Sequence, residues 1–211
     1  DVRIHTGAIK QEILQKDGAF SGIQLNDDRI IDAELLLVGI GVLPDLGVAA
    51  DAGLITGDGI VVDGMMQSSV ADIFAIGDVA LVDGAMSRIE SVDNAQNTAA
   101  RAAAAICGLS QPPKMAPWFW SEQFDARLQS AGIVPQEAAA AQYIVRPGKR
   151  EGGLSVWSYD VHGKLAAIEA VRDPAAYMLG KKCLDLGLSP PPSDIGNAAF
   201  DLKGFVASGA V

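Results

Sequence analysis

The sequence predicts an α/β segment followed by an α+β domain, and three observations carry that expectation. The apolar run from Leu35 to Leu43, LLLVGIGVL, opens without alternation over Leu35 to Gly39, which suits a strand buried on both faces of an α/β sheet. Charge changes abruptly near residue 110. Residues 1–110 hold 6 Lys+Arg against 16 Asp+Glu, whereas residues 111–211 hold 10 of each. Beyond Gln111-Pro112-Pro113, five short strand-like stretches precede one helix-like stretch.

Taken in order, residues 2–5 read as a short strand ended by Thr6-Gly7. Residues 8–15 and 20–25 alternate loosely around Lys16-Asp17-Gly18, a hairpin signal. Asn26-Asp27-Asp28 makes a further turn before the short strand Arg29 to Asp32, completing a meander with one wetted face. The Leu35 to Gly39 strand is broken by Gly39, Gly41 and Pro44. Ile60 to Val62 follows the turn Gly57-Asp58-Gly59, and Ile73 to Ile76 reads as a buried strand ended by Gly77-Asp78. Residues 92–107 form the clearest helix. Ser91 is its N-cap, Asp93 suits the dipole of its first turn, and Gly108 follows its end. Ala95, Ala99, Ala102, Ala103 and Ile106 share one face at helical spacing. Strands are expected at 118–122, 127–131, 142–146, 154–159 and 164–171. A helix follows Asp173 with Pro174 at its first position and runs to Leu186. The tail beyond Ser193 is weakly patterned and is expected to wrap the domain.

Composition excludes several classes. With 49% apolar and 20% charged residues, the 211-residue chain is globular rather than disordered. A net charge of −10 has the wrong sign for a duplex nucleic-acid binder. No apolar run reaches the ~20 residues of a membrane helix, and no leader is visible, so a cytoplasmic protein is expected. Cys107 and Cys183 are too far apart for a dithiol motif, and His5 and His162 cannot form a histidine metal cluster. The chain opens without Met, inside a strand-like pattern, and so reads as a piece of a longer polypeptide.

Four strings carry candidate chemistry, each with a plain structural alternative. Gly39-Ile40-Gly41 begins like a dinucleotide fingerprint, but Pro44 stands at the third glycine and no helix follows. It serves equally as a sharp exit from a strand. Gly77-Asp78 puts a close-approach glycine and an accepting carboxylate after an apolar run, where a plain turn would also do. Arg88-Ile-Glu90-Ser91-Val92 leads into the helix, whose first N–H groups can face an electron-rich atom or merely be capped. In Trp118-Phe119-Trp120, alternation sets both indoles on one face, fit to cover a flat conjugated ring or to pack a core.

Together GIGVLPD (39–45), ADIFAIGDVA (71–80), RIESVDNAQNTA (88–99) and APWFWSEQ (116–123) resemble the C-terminal half of the oxygenase-coupled NADH:ferredoxin reductases. The resemblance implies a partial FAD/NAD-binding domain of glutathione-reductase-like fold, then a C-terminal α+β reductase domain with an antiparallel sheet. Residues 1–36 would be a remnant of the NAD-binding domain, 37–113 the returning segment of the FAD-binding domain, and 114–211 the C-terminal domain. It implies FAD and NAD as cofactors, NADH as substrate, a two-iron two-sulfur ferredoxin as partner, no nucleic acid or membrane partner, and a monomer when intact. Carried over by position, Asp78 beside Gly77 would bond the FAD ribityl chain. The backbone N–H of Val92 would meet the flavin pyrimidine edge. Glu90 and Gly41 would sit on the nicotinamide side, and Trp120 near the isoalloxazine ring. No side chain is implied as a catalytic nucleophile and no metal ligand is implied. Arg101 is expected as a rim charge for docking. The family's G-x-G-x-x-G fingerprints are not in this sequence. A disulfide or peroxide reductase of the same superfamily, or a non-catalytic docking or structural module, remain the alternatives.

Overall fold

The computed structural model describes residues 2–135 and 140–209, with the side chains of 140 and 141 left aside. The chain divides into two compact units, Asp1–Leu43 and Pro44–Val211.

The first unit is the expected meander. Strands β1 (Lys10–Lys16), β2 (Ala19–Leu25) and β3 (Ile30–Asp32) pair antiparallel in that order. Asp17 and Gly18 both take positive φ, 53° and 80°, the tight turn whose twist matches the strands it joins. Two expectations fail here. Residues 2–5 are not a strand, and Leu35 to Leu43 is an exposed segment without regular structure, with Leu37 at 92% and Leu43 at 93% exposure. A strand buried on two faces needs bonded neighbours and covering layers. Among the described residues no strand pairs with this run. Its apolar composition alone therefore does not make it a strand.

The second unit opens with α1 (Gly47–Asp51) and β4 (Ile60–Val62). β4 lies parallel to β5 (Ala80–Val82), Val61 opposite Leu81. The expected strand at 73–76 is replaced by a looser path. Phe74 makes one bridge to Gln67, a 3-10 turn spans Gly77–Val79, and the strand comes after Gly-Asp rather than before it. Helix α2 (Val92–Ile106) is capped as expected, Ser91 Oγ accepting the Asn94 N–H at 3.1 Å. Its buried residues are Thr98, Ala102 and Ala104, whereas Ala103 and Ile106 are exposed, so the packed stripe is rotated from the expected alanine face. The reason is Thr98. Its hydroxyl accepts the Gly77 N–H at 2.9 Å and donates to the Asn94 carbonyl at 2.6 Å, so a polar side chain is satisfied inside. Val62, Met66, Ala75, Ala80 and Ala102 form the small core beneath.

A five-stranded antiparallel sheet follows, in the order β6-β7-β10-β9-β8. Its strands are β6 (Trp118–Gln123), β7 (Ala126–Gly132), β8 (Ala140–Pro147), β9 (Leu154–Asp160) and β10 (Leu165–Val171). Helix α3 (Pro174–Leu186) packs on β10 and β7. It starts under the Asp173 cap with Pro174 in its first turn and stops at Gly187, whose φ is +70°. Trp157, Tyr159, Ile168 and Cys183 are fully buried between sheet and helix. The tail does wrap this core. Helices α4 (Pro192–Gly196) and α5 (Leu202–Ser208) insert Ile195, Leu202 and Val206. Arg146 pins the segment to β8 by donating to the carbonyls of Ile195, Asn197, Ala198 and Phe200. No helix among the described residues is long and apolar enough to cross a membrane.

Candidate functional site

A cavity of about 400 Å³ opens where the 3-10 turn, the start of α2 and the first strand of the large sheet meet. Asp78, Glu90, Ser91, Val92, Ala95, Phe119 and Trp120 line it. Four of the residues singled out in the sequence thus converge: Asp78, Glu90, Val92 and Trp120. Gly77 stands just behind them with φ +68°, in contact range of Ala95, where a Cβ would lie 3.6 Å from the Ala95 Cβ. Gly41 belongs to the other unit, exposed and with φ +99°.

Each wall is held by its local sequence. Thr98 holds the Gly77 N–H, and the Asn94 side chain donates to the Ile89 carbonyl at 2.7 Å, with Gly77's carbonyl at 3.5 Å. Both come from the first two turns of α2, so that helix positions the Gly77-Asp78 turn beside its own N-terminus. Ser91 caps the Asn94 N–H, and the Ala95 N–H returns to the Ser91 carbonyl. The N–H groups of Val92 and Asp93 precede the first intrahelical acceptor and carry the positive end of the helix dipole.

The opposite wall is aromatic. Trp118 and Trp120 share one face, as alternation requires, and stack with ring centroids 5.3 Å apart and planes 29° apart. Trp118 leans on Tyr177 of α3 at 6.5 Å, so the core of the large sheet fixes the indole at the cavity. Asp93 ties the two walls, its carboxylate accepting the backbone N–H of Trp118 at 3.3 Å. Burial, and then the Asp93 and Asp185 carboxylates, push the Tyr177 hydroxyl pKa above its ordinary value, so that ring stays neutral.

Sequence reasoning missed Phe119, Ser91 and Ala95 as lining residues, and Asn94, Thr98 and Arg88 as supports. Alternation assigns Phe119 to the far face, but β6 is an edge strand, and the ring remains half-exposed beside the cavity. Ser91 was legible as a cap, and a capping residue at a cavity mouth is a lining residue too. Arg101 lies away from the 400 Å³ cavity. It donates to the Gly64 carbonyl at 3.2 Å and lines a second cavity of about 440 Å³ with Arg88, Asn97 and Met115. That cavity has no aromatic ring among its lining residues and so offers nothing flat to stack upon. Neither cysteine lines either cavity: Cys107 is exposed and Cys183 is buried in the core of the large sheet. Among the described residues no cluster of His, Cys, Asp and Glu could hold a metal ion.

Two short parallel strands, a glycine-acid turn and a capped helix, joined to an antiparallel sheet that supplies an indole, frame this cavity. Residues 1–99 match the pyridine nucleotide-disulphide oxidoreductase family and residues 118–206 the reductase C-terminal family. Rhodocoxin reductase from Rhodococcus erythropolis is 34% identical over 206 residues, 96% of this chain and 47% of that protein. The ferredoxin reductase for the CYP199A2 system from Rhodopseudomonas palustris superposes with a TM-score of 0.87 at 37% identity, over 97% of this chain and 51% of that one. Putidaredoxin reductase, in its covalent complex with putidaredoxin, gives a TM-score of 0.87 at 28% identity, over 97% of this chain and 50% of that one. The chain belongs to the family of these ferredoxin reductases. It spans about half the length of the curated relatives it matches.

Proposed function

We propose that this chain is the C-terminal half of an FAD-dependent ferredoxin reductase, which passes electrons from NADH through FAD to a two-iron two-sulfur ferredoxin feeding an oxygenase. The observation that supports this most is the 400 Å³ cavity, where the Val92 helix start, the Asp78 carboxylate and the Trp120 indole converge. The proposal keeps the division into an NAD-domain remnant (1–36), an FAD-domain segment (37–113) and a C-terminal domain (114–211). It describes a cytoplasmic protein that is monomeric when complete.

The residues present fit the flavin end of FAD. Two α2 amides without an intrahelical acceptor, the exposed Asp78 carboxylate and one stacked indole match a ring with an electron-rich edge and a hydroxylated chain. The phosphate end has no glycine-rich cradle in this sequence. When bound, FAD would take hydride from NADH and release its electrons singly to the ferredoxin, chemistry that belongs to the cofactor. This chain's residues bind and orient. The Val92 N–H would donate to the pyrimidine edge, where the helix dipole favours negative charge. Asp78 would accept from ribityl hydroxyls. Trp120 would shield the ring from water on the side of the large sheet, and Glu90 would face the nicotinamide.

The test uses a polypeptide of the relatives' full length that carries this sequence. A yellow protein that reduces ferricyanide and a two-iron ferredoxin with NADH is expected. A colourless protein that takes up no FAD would overturn the reading. The 211-residue chain by itself should not turn over NADH, because it lacks both phosphate loops.

A further inference from the structure

We infer that Arg88 is a positioning residue for the candidate site: its buried guanidinium orients the Glu90 carboxylate and the Asp78 peptide at the cavity. The Arg88 side chain is only 6% exposed. A guanidinium removed from water must find a partner for its fork of donors, or its burial is strongly unfavourable. The partners come from three separate stretches. One is the 57–59 turn, where Arg88 meets the Asp58 carboxylate at 3.3 Å and donates to the Asp58 carbonyl. Another is the Gly77–Val79 turn, where it donates to the Asp78 carbonyl. The last is Glu90, whose carboxylate accepts at 2.7 Å. One terminal nitrogen, Nη1, serves both Asp78 and Glu90, the two acidic residues that line the cavity.

The surroundings are shaped for this stem. A Cβ at Gly59 would lie 2.5 Å from Arg88 Cδ and 2.6 Å from the Val79 carbonyl oxygen, so only glycine leaves room for arginine to cross. Arg88 itself does not line the 400 Å³ cavity. It acts from behind, through Glu90 and Asp78. Lysine cannot replace it. An ammonium is a point charge without a planar fork, and it would satisfy one of these partners while abandoning the others. The consequence for ligand handling rests on the flavin and nicotinamide reading above. The consequence for geometry does not.

The experiment separates the two. In the 211-residue chain, Arg88→Lys should shift the backbone amide NMR signals of Asp78, Val79 and Glu90 while leaving those of the large antiparallel sheet in place. Arg88→Met should do the same where it folds. Unchanged Asp78 and Glu90 signals in a folded Arg88→Lys chain overturn the inference. In the full-length flavoprotein, Arg88→Lys and Glu90→Gln should each raise the KM for NADH about fivefold, the loss expected for one hydrogen bond, with kcat much less affected. The double variant should be no worse than either single one. KM effects that multiply in the double variant would show that Arg88 does not act through Glu90, and would also overturn the inference. If the full-length wild type takes up no flavin, the amide shifts still decide the role of Arg88, and only the flavin reading falls.

Discussion

At the residue scale the site depends on a few polar atoms whose partners are named. Asp78 is an exposed carboxylate of the cavity, anchored by its own carbonyl on Arg88. In the full-length flavoprotein, Asp78→Ala should weaken FAD retention at least tenfold, since a hydrogen bond to a charged group contributes about 1.5–3 kcal/mol. The flavin released on dialysis, read by absorbance, measures this, and full occupancy would remove Asp78 from the site. Thr98 works one layer deeper. Thr98→Val keeps the shape but strips the acceptor from the buried Gly77 N–H, a loss of about 1–3 kcal/mol. Urea denaturation of the variant should show a lower midpoint with an unchanged slope. Equal midpoints would mean that Gly77 finds another partner.

At the element scale, α2 and α3 are strongly specified by their caps. Ser91 and Asp173 start them through side-chain acceptors, while Cys107-Gly108 and Gly187 end them. Their tertiary seats are less forgiving. Gly180 sits mid-helix in α3, where helix propensity favours alanine, yet a Cβ there would collide with the Ile168 side chain of β10. Gly180→Ala should therefore destabilise the chain by about 1–3 kcal/mol despite the propensity gain, as overpacking does. Thermal unfolding is the check, and a raised Tm would show that Ile168 yields. The hairpin, the five strands of the large sheet and the bounds of α3 were legible from turn residues and local pattern. The 35–39 and 73–76 runs were not, because a strand is completed by its neighbours. Residues 73–76 meet only one bridge, and 35–39 meet none among the described residues.

At the scale of the whole molecule, the large sheet and its tail enclose groups that titrate only at high pH. Burial pushes the Cys183 thiol from 9.0 up to about 11. Burial likewise raises Tyr159, whose hydroxyl donates to the Pro190 carbonyl at 2.8 Å. Both are neutral acids favoured by folding. Below pH 9 their contribution is complete. As pH climbs toward 11 the unfolded chain loses the Cys183 proton first, so folding stability falls across that window. Two pH units correspond to roughly 2–3 kcal/mol. Cys183→Ala should flatten the fall in Tm between pH 9 and 11, with the remaining slope assigned to tyrosine. An unchanged slope would show that the thiol does not ionise differently in the two states.

The sequence alone carries the segment order, the hairpin, the capped helices, the strand positions of the second half and four of the cavity's residues. It could do so because caps, tight turns and period-2 alternation are local: the atoms that decide them lie within a few positions of one another. Tertiary contacts set which face of α2 is buried, bring Phe119 beside Trp120 at the cavity and place Arg88 behind Asp78 and Glu90. Those outcomes depend on groups 10 to 30 positions apart, such as Arg88 with Asp58 and Asp78, whose pairing carries no local mark. A buried guanidinium and an exposed one are the same letter in a sequence. Which it becomes is set by the elements that close over it.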